Sequence, residues 1–172
     1  MPAVAAAVLG DGNAMELVPI TASERRPTIQ AGEVDLLSRN VSWTSTRDVH
    51  WGNYTTTMFY DGQGFIVPTS TGFTSALDLD GATVCVTSGT TTELNLADFF
   101  RQNGMASETV VFEDTASVYS AYESERCGAT TSDQSQLATV RSGFAGPSAH
   151  EILPETISKE PLTPVVSQGD DQ

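Results

Sequence analysis

The segment CVTSGTTTELNL (85–96) sets four hydroxyls, Ser88, Thr90, Thr91 and Thr92, between an apolar run and a leucine-rich one. Hydroxyls at the mouth of a helix can cap it, cradle a phosphate, supply a nucleophile or hold a carboxylate. Thr90 and Glu93 have the T-x-x-E spacing of a capping box, which needs no ligand. Thr91 and Thr92 are left over, on a helix N-terminus whose dipole favours an anion. Upstream, SRNVSWTSTRD (38–48) supplies Ser42 and then Arg47, whose planar guanidinium matches a carboxylate bidentately; its plainer use is a surface ion pair, with Asp48 for instance. Asp133 closes ATTSD (129–133) at the carboxyl edge where open α/β sheets bind ligands; its plainer use is to cap the helix that follows. Arg47, the threonines and Asp133 together complement a zwitterion: a carboxylate for the first two, an ammonium for the third.

Other chemistries lack parts. SGTTTE has no lysine of the GxxxxGK[ST] kind, and DGQGFIVP is not GxGxxG and leads into a strand, so phosphate binding is not expected. Ser88 as a nucleophile with His50 or His150 as base would make a hydrolase, but no GxSxG elbow surrounds it. Two cysteines, two histidines and no CxxC are too few for a zinc site, and no cofactor is implied. Composition alone leaves Cys85 and Cys127 as a disulfide or as two buried thiols. Asp170 and Asp171 read as a solvated pair in an open tail.

These residues need elements to carry them. Periodicity predicts a helix in PAVAAAVLG, a strand in MELVPI, a helix in SERRPTIQAG and a strand in EVDLLS. Residues 41–58 read as irregular, and a turn at 61–64 leads into an apolar strand ended by Pro68. From residue 73 the alternation resumes: TSALDLDG helical, ATVCVT strand, TTELNLADFFRQNG helix, ETVVFE strand, ASVYSAYESERCG helix, ATTSD strand, SQLATVRSGFAG helix. Gly104 and Gly128 read as helix stops, and strands alternating with helices predict parallel pairing through right-handed crossovers. The 172 residues are 39% hydrophobic, enough for a core. Eight Lys and Arg against 22 Asp and Glu, a formal charge of -14, argue against nucleic-acid or anionic-membrane binding. No run approaches the roughly 20 apolar residues of a membrane span. The chain opens as if within a helix and closes on an extended tail, the pattern expected of a fragment.

The blocks IQAGEVDLLSRNVSWTSTRD, YDGQGFIVP, LDGATVCVTSGTTTELNLADFF, RCGATTSDQSQL and ILPETISKEPLTPVV resemble, in order, the family-3 extracellular solute-binding proteins of bacterial ABC importers, most closely their general L-amino-acid-binding branch. The resemblance implies a type II periplasmic-binding-protein-like α/β fold of two lobes, the first incomplete and the second nearly complete. Residues 1–66 would be first lobe up to a hinge crossing, 67–163 the second lobe, and 164–172 the second crossing. It implies that Arg47, Thr91 and Thr92 hold the ligand carboxylate, that Asp133, Ser42 and the carbonyl of Asn40 hold the ammonium, and that Thr87 approaches the ligand side chain. It implies an L-amino acid as ligand, a membrane permease as partner, a periplasmic location with the signal peptide ahead of Met1, and no enzymatic activity. The oxidising periplasm then favours a bridge between Cys85 and Cys127. Competing readings are an enzyme lobe of related fold, hydrolase or dehydratase-like, and a fragment without function.

Overall fold

A computed structural model describes residues 1–106 and 108–169. In chain order its elements are α1 (Pro2–Leu9), α2 (Arg25–Gln30), β1 (Leu36–Leu37), α3 (Ser45–His50), β2 (Asn53–Tyr54), β3 (Phe59–Asp61), β4 (Gln63–Pro68), β5 (Thr83–Thr87), α4 (Thr91–Gln102), β6 (Glu108–Phe112), α5 (Thr115–Glu123), β7 (Ala129–Asp133), α6 (Gln134–Gly143), β8 (His150–Ile152), β9 (Glu160–Leu162) and β10 (Val165–Val166). The acidic pair Asp170 and Asp171, and with it the end of the segment 164–172, lies outside the described residues.

The larger sheet has the strand order β6-β5-β7-β4-β8. Strand β5 pairs in parallel with β6 and β7, as the alternation predicts, whereas β4 pairs antiparallel with both β7 and β8. Successive side chains on a strand face opposite ways, and the burial follows this alternation. Val84, Val86, Phe65 and Val67 share a core with Leu96 and Phe100 of α4. From the other face of the sheet, Ile66 packs with Tyr122, Leu137 and Phe144, and Cys85 with Val118 and Ala121. Both faces are covered by helices, which explains why β4 and β5 read as unbroken apolar runs. A three-stranded antiparallel sheet, β1-β10-β2, covers a separate cluster of Ile29, Leu37, Val41, Tyr54 and Val165.

Between the two sheets runs a two-stranded ribbon in which β3 pairs antiparallel with β9. Strand β9 and the residue after it are stitched to the smaller sheet's neighbourhood: Trp43 N–H donates to the Pro161 carbonyl and Thr163 N–H to the Val41 carbonyl, each at 2.9 Å. Residues 63–66 all pair with β7 and so belong to the larger sheet.

Several local expectations change. MELVPI is no strand: it finds no partner ladder, and Leu17 and Val18 stay exposed. Residues 45–50, expected to be irregular, are helical because the Thr44 hydroxyl accepts from Arg47 N–H and caps the turn. TSALDLDG gives a 3-10 turn, Ala76–Leu79, held by a capping box of Ser75 and Asp78. Gly104 has φ +66° past α4, as expected of a stop, but the left-handed residue after α5 is Glu125 with φ 61°, not Gly128.

Cys85 and Cys127 form a disulfide across a sequence separation of 42, with Cα atoms 5.7 Å apart. In the loop-closure account, a bridge over a loop of this size stabilises by about 4 kcal/mol. Urea unfolding of the Cys85→Ala/Cys127→Ala double variant should show a loss of roughly 2–4 kcal/mol; a loss below about half a kcal/mol would rule the bridge out as a major stabiliser.

Candidate functional site

Three chain segments converge on a cleft between the sheets. The first is the amino end of α4. Thr90 is its cap, accepting from Glu93 N–H at 3.1 Å, and the Glu93 carboxylate turns back onto Gly89 N–H at 2.9 Å. The expected capping box is therefore present with Gly89 in place of Thr90 as the backbone donor. Gly89, at φ +70°, passes so close to Ser23 that an added Cβ would meet its Cα at 3.2 Å; only glycine combines that backbone with that approach. The second segment is the carboxyl end of β7, where Asp133 is 4% exposed. The third is the stretch after β1, with Arg39, Asn40 and Ser42.

Hydrogen bonds join these segments. Asn40 Nδ2 donates to Asp133 Oδ2 at 2.8 Å and to Gln136 Oε1 at 2.7 Å. The hydroxyls of Ser42 and Thr91 lie 3.3 Å apart, and Thr91 also donates to Glu160 Oε2 at 3.1 Å. Behind them Gln63 Nε2 donates to the Thr92 carbonyl at 3.0 Å and to Thr131 Oγ1 at 2.9 Å, tying α4 to β7.

The sequence-derived site residues fall unevenly on this frame. Asn40, Ser42, Thr87, Thr91, Thr92 and Asp133 line the cleft. Asp133 stands at the cap position of α6, yet its side chain makes no capping bond and accepts from Asn40 instead, so the plainer use foreseen for it is not realised. The Asn40 carbonyl faces Arg25 Nη1 at 3.5 Å. Arg47 makes no surface ion pair with Asp48. Its buried guanidinium lies 4.5 Å over the Trp51 ring, donates to the Ser42 carbonyl at 3.2 Å, and stands behind the cleft wall. Among the described residues the only ion pair within 4 Å is Arg101 with Asp98. His150 Nδ1 is bonded to the Tyr122 hydroxyl at 2.8 Å, and the His50 carbonyl accepts from Gln30; neither contact involves Ser88.

Arg25, Gln136 and Glu160 were not expected in the site from sequence. Arg25 carries a legible signal: with Thr28 and Ile29 it forms the buried face of α2 at i, i+3, i+4 spacing, where a cation is out of place. Glu160 carries none, since its burial depends on the ribbon bringing it to Thr91 and Asn95.

Burial sets the electrostatics. It pushes Asp133 up to about 6, opposed by the Asn40 hydrogen bond and Arg25 and reinforced by Glu160 and Asp61. Burial also lowers Arg25 to about 10, helped by the like charges of Arg39 and Arg47, and it lowers Arg47.

No family model matches the chain. It is 51% identical over 171 residues to the general L-amino acid-binding periplasmic protein AapJ of Rhizobium johnstonii, covering 99% of this chain and 50% of that one. It is 50% identical over 170 residues to the putative amino-acid ABC transporter-binding protein YhdW of Escherichia coli, again across 98% of this chain and 50% of the relative. By sequence, the chain is a relative of the amino-acid-binding proteins of ABC transporters. Its structure superposes, with a TM-score of 0.94 and 49% identity, on a periplasmic binding protein from Brucella ovis with glutathione bound, covering 98% of this chain and 54% of that one. The fold is that of the type II periplasmic binding proteins. The chain spans about half the length of the curated relatives it matches.

Asp133 has a consequence for stability. Its ordinary value is 3.8 and its folded value about 6, so the native state takes up a proton between them. Stability from this group is present below pH 4 and is lost as pH rises through about 6, by about 3 kcal/mol in all. Asp133→Asn should therefore unfold within about 1 kcal/mol of the native chain at pH 4 but up to about 3 kcal/mol later at pH 7.5. A pH-independent difference in urea unfolding would refute the assignment.

Proposed function

We propose that the chain forms the ligand-facing part of the substrate-binding component of an amino-acid ABC transporter. It binds an L-amino acid in the cleft without chemical turnover and delivers it, in the periplasm, to a membrane permease. The observation that carries this reading is the cleft itself: a buried carboxylate and a hydroxyl-bearing helix amino end at one edge of the larger sheet, and buried guanidiniums without a carboxylate partner within 4 Å among the described residues.

In this reading Asp133 takes the ammonium, with Ser42 and the Asn40 carbonyl alongside. The Asn40 side-chain amide, a neutral donor on the same carboxylate, gives way to it. Thr91, Thr92 and Arg47 take the carboxylate, Arg47 turning from the Ser42 carbonyl into the cleft. Thr87 approaches the ligand side chain. The likeness to AapJ supports an α-amino acid as ligand, and the glutathione on the Brucella protein, which carries a free α-amino-acid end, supports the same recognition chemistry. The β3–β9 ribbon is the hinge, with the crossings just before Gln63 and around Glu160–Leu162; residues 1–61 with 163–169 form one lobe and the larger sheet with its helices the other.

Calorimetric titration of the purified chain with a panel of L-amino acids and glutathione tests this. Saturable binding of at least one ligand is expected, weakened at least tenfold by Arg47→Ala and by Asp133→Ala, about 1.4 kcal/mol or more. Binding to none refutes the function, and unchanged affinity in Arg47→Ala refutes its role at the carboxylate. The pH dependence has a definite sign. Below about 6 the empty site holds a proton on Asp133 that the ammonium must expel. Affinity should then be about tenfold weaker at pH 5 than at pH 7, with proton release visible as a buffer-dependent heat; affinity that is flat or rises toward pH 5 would exclude Asp133 as the ammonium's partner.

A further inference from the structure

The cleft has a second anionic requirement that an α-carboxylate does not meet. Arg25 is 4% exposed and lines the cleft together with Arg39, while Asp133 is the one carboxylate lining the cleft among the described residues. A guanidinium carries five N–H donors in a fixed fork. Of those of Arg25, Nε has no hydrogen-bond partner and Nη1 reaches the Asn40 carbonyl only at a long 3.5 Å. Arg39 is little better placed, donating to the Ile20 carbonyl at 3.1 Å and to the Thr115 hydroxyl at 3.4 Å. Arg25 keeps its charge at neutral pH, since burial and its cationic neighbours bring it down only to about 10.

A buried charge without a counter-charge is costly, and buried cations are ordinarily paired. This chain has 22 acidic residues against eight basic ones, yet none stands within 4 Å of Arg25 among the described residues. Under the binding scheme above, the α-carboxylate goes to Arg47 and the threonines and the ammonium goes to Asp133. Two cations on the cleft wall are then left facing the ligand's side chain.

We propose that the cleft selects α-amino acids with an anionic side chain, of the glutamate or aspartate kind, and that Arg25, seconded by Arg39, receives the side-chain carboxylate. The proposal rests on the reading of the cleft as an amino-acid site. A fork of paired N–H donors distinguishes a carboxylate from its amide isostere, because the amide turns an N–H toward the guanidinium.

The test compares glutamate with glutamine, and aspartate with asparagine, by calorimetry on the native chain and on Arg25→Gln at pH 7.5. The native chain should bind glutamate at least about tenfold tighter than glutamine, and Arg25→Gln should bring that ratio to within about threefold, chiefly by weakening glutamate. Native binding of glutamine or asparagine as tightly as the acid overturns the selectivity while leaving the amino-acid reading intact; binding of no amino acid overturns both. A ratio that survives in Arg25→Gln overturns the role of Arg25. Should that variant fail to fold by circular dichroism, Arg25→Lys, which keeps the charge and loses the fork, replaces it: a reduced acid preference supports the proposal and an undiminished one overturns it.

Discussion

A carboxylate buried as deeply as that of Asp133 must be protonated, hydrogen-bonded or paired, and much of the cleft follows from how this constraint is met. Asn40 Nδ2 meets it from across the gap, from the segment that follows β1. A neutral amide compensates a carboxylate only in part, which is why Asp133 stays well above the usual carboxylate range. The same constraint acts with opposite sign at Arg25 and Arg47, where burial has removed water from guanidiniums and supplied carbonyls and a ring in its place. The cleft thus has two poles, a carboxylate only partly compensated by an amide and guanidiniums with no carboxylate within 4 Å among the described residues.

The sheet topology brings these poles together. Parallel pairing of β5 with β7 places the carboxyl ends of both strands, and so the start of α4 and Asp133, on one edge. Strand β4 then enters antiparallel beside β7, and its first residue, Gln63, ties the Thr92 carbonyl to Thr131. One buried amide therefore fixes the spacing between the helix amino end and the strand that ends in Asp133. The ribbon of β3 and β9 leaves from the same edge, since Asp61 ends β3 two residues before Gln63, which pairs with Asp133.

Local chemistry was the legible part of this molecule. The threonine cap of α4, the unbroken apolar runs of β4 and β5 and the three β–α units after residue 82 follow from patterns and caps that act within a few residues of each other. Residues 41–58 were misread because Trp43, Trp51 and Tyr54 obscure any apolar period, while a single hydroxyl, that of Thr44, suffices to start the helix. MELVPI failed for the opposite reason, a good strand pattern with no neighbouring edge to pair with. The antiparallel entry of β4 was illegible because strand direction is set by where the chain comes from, and that lies outside the strand.

Sequence by itself determined which groups were available: hydroxyls at a helix mouth, one forked cation after Ser42, one acid at a strand end, and two cysteines whose environment the family resemblance supplied. Its formal charge of -14 also argued against nucleic acid as a partner. Tertiary structure decided which of those groups face one another. It turned Asp133 from a cap into a cross-cleft acceptor, drew Arg47 behind the wall, and buried Arg25 and Glu160 where no local pattern requires them. The reason is that capping and periodicity are short-ranged, whereas burial of a charge depends on segments as far apart as Asn40 and Asp133 meeting in space.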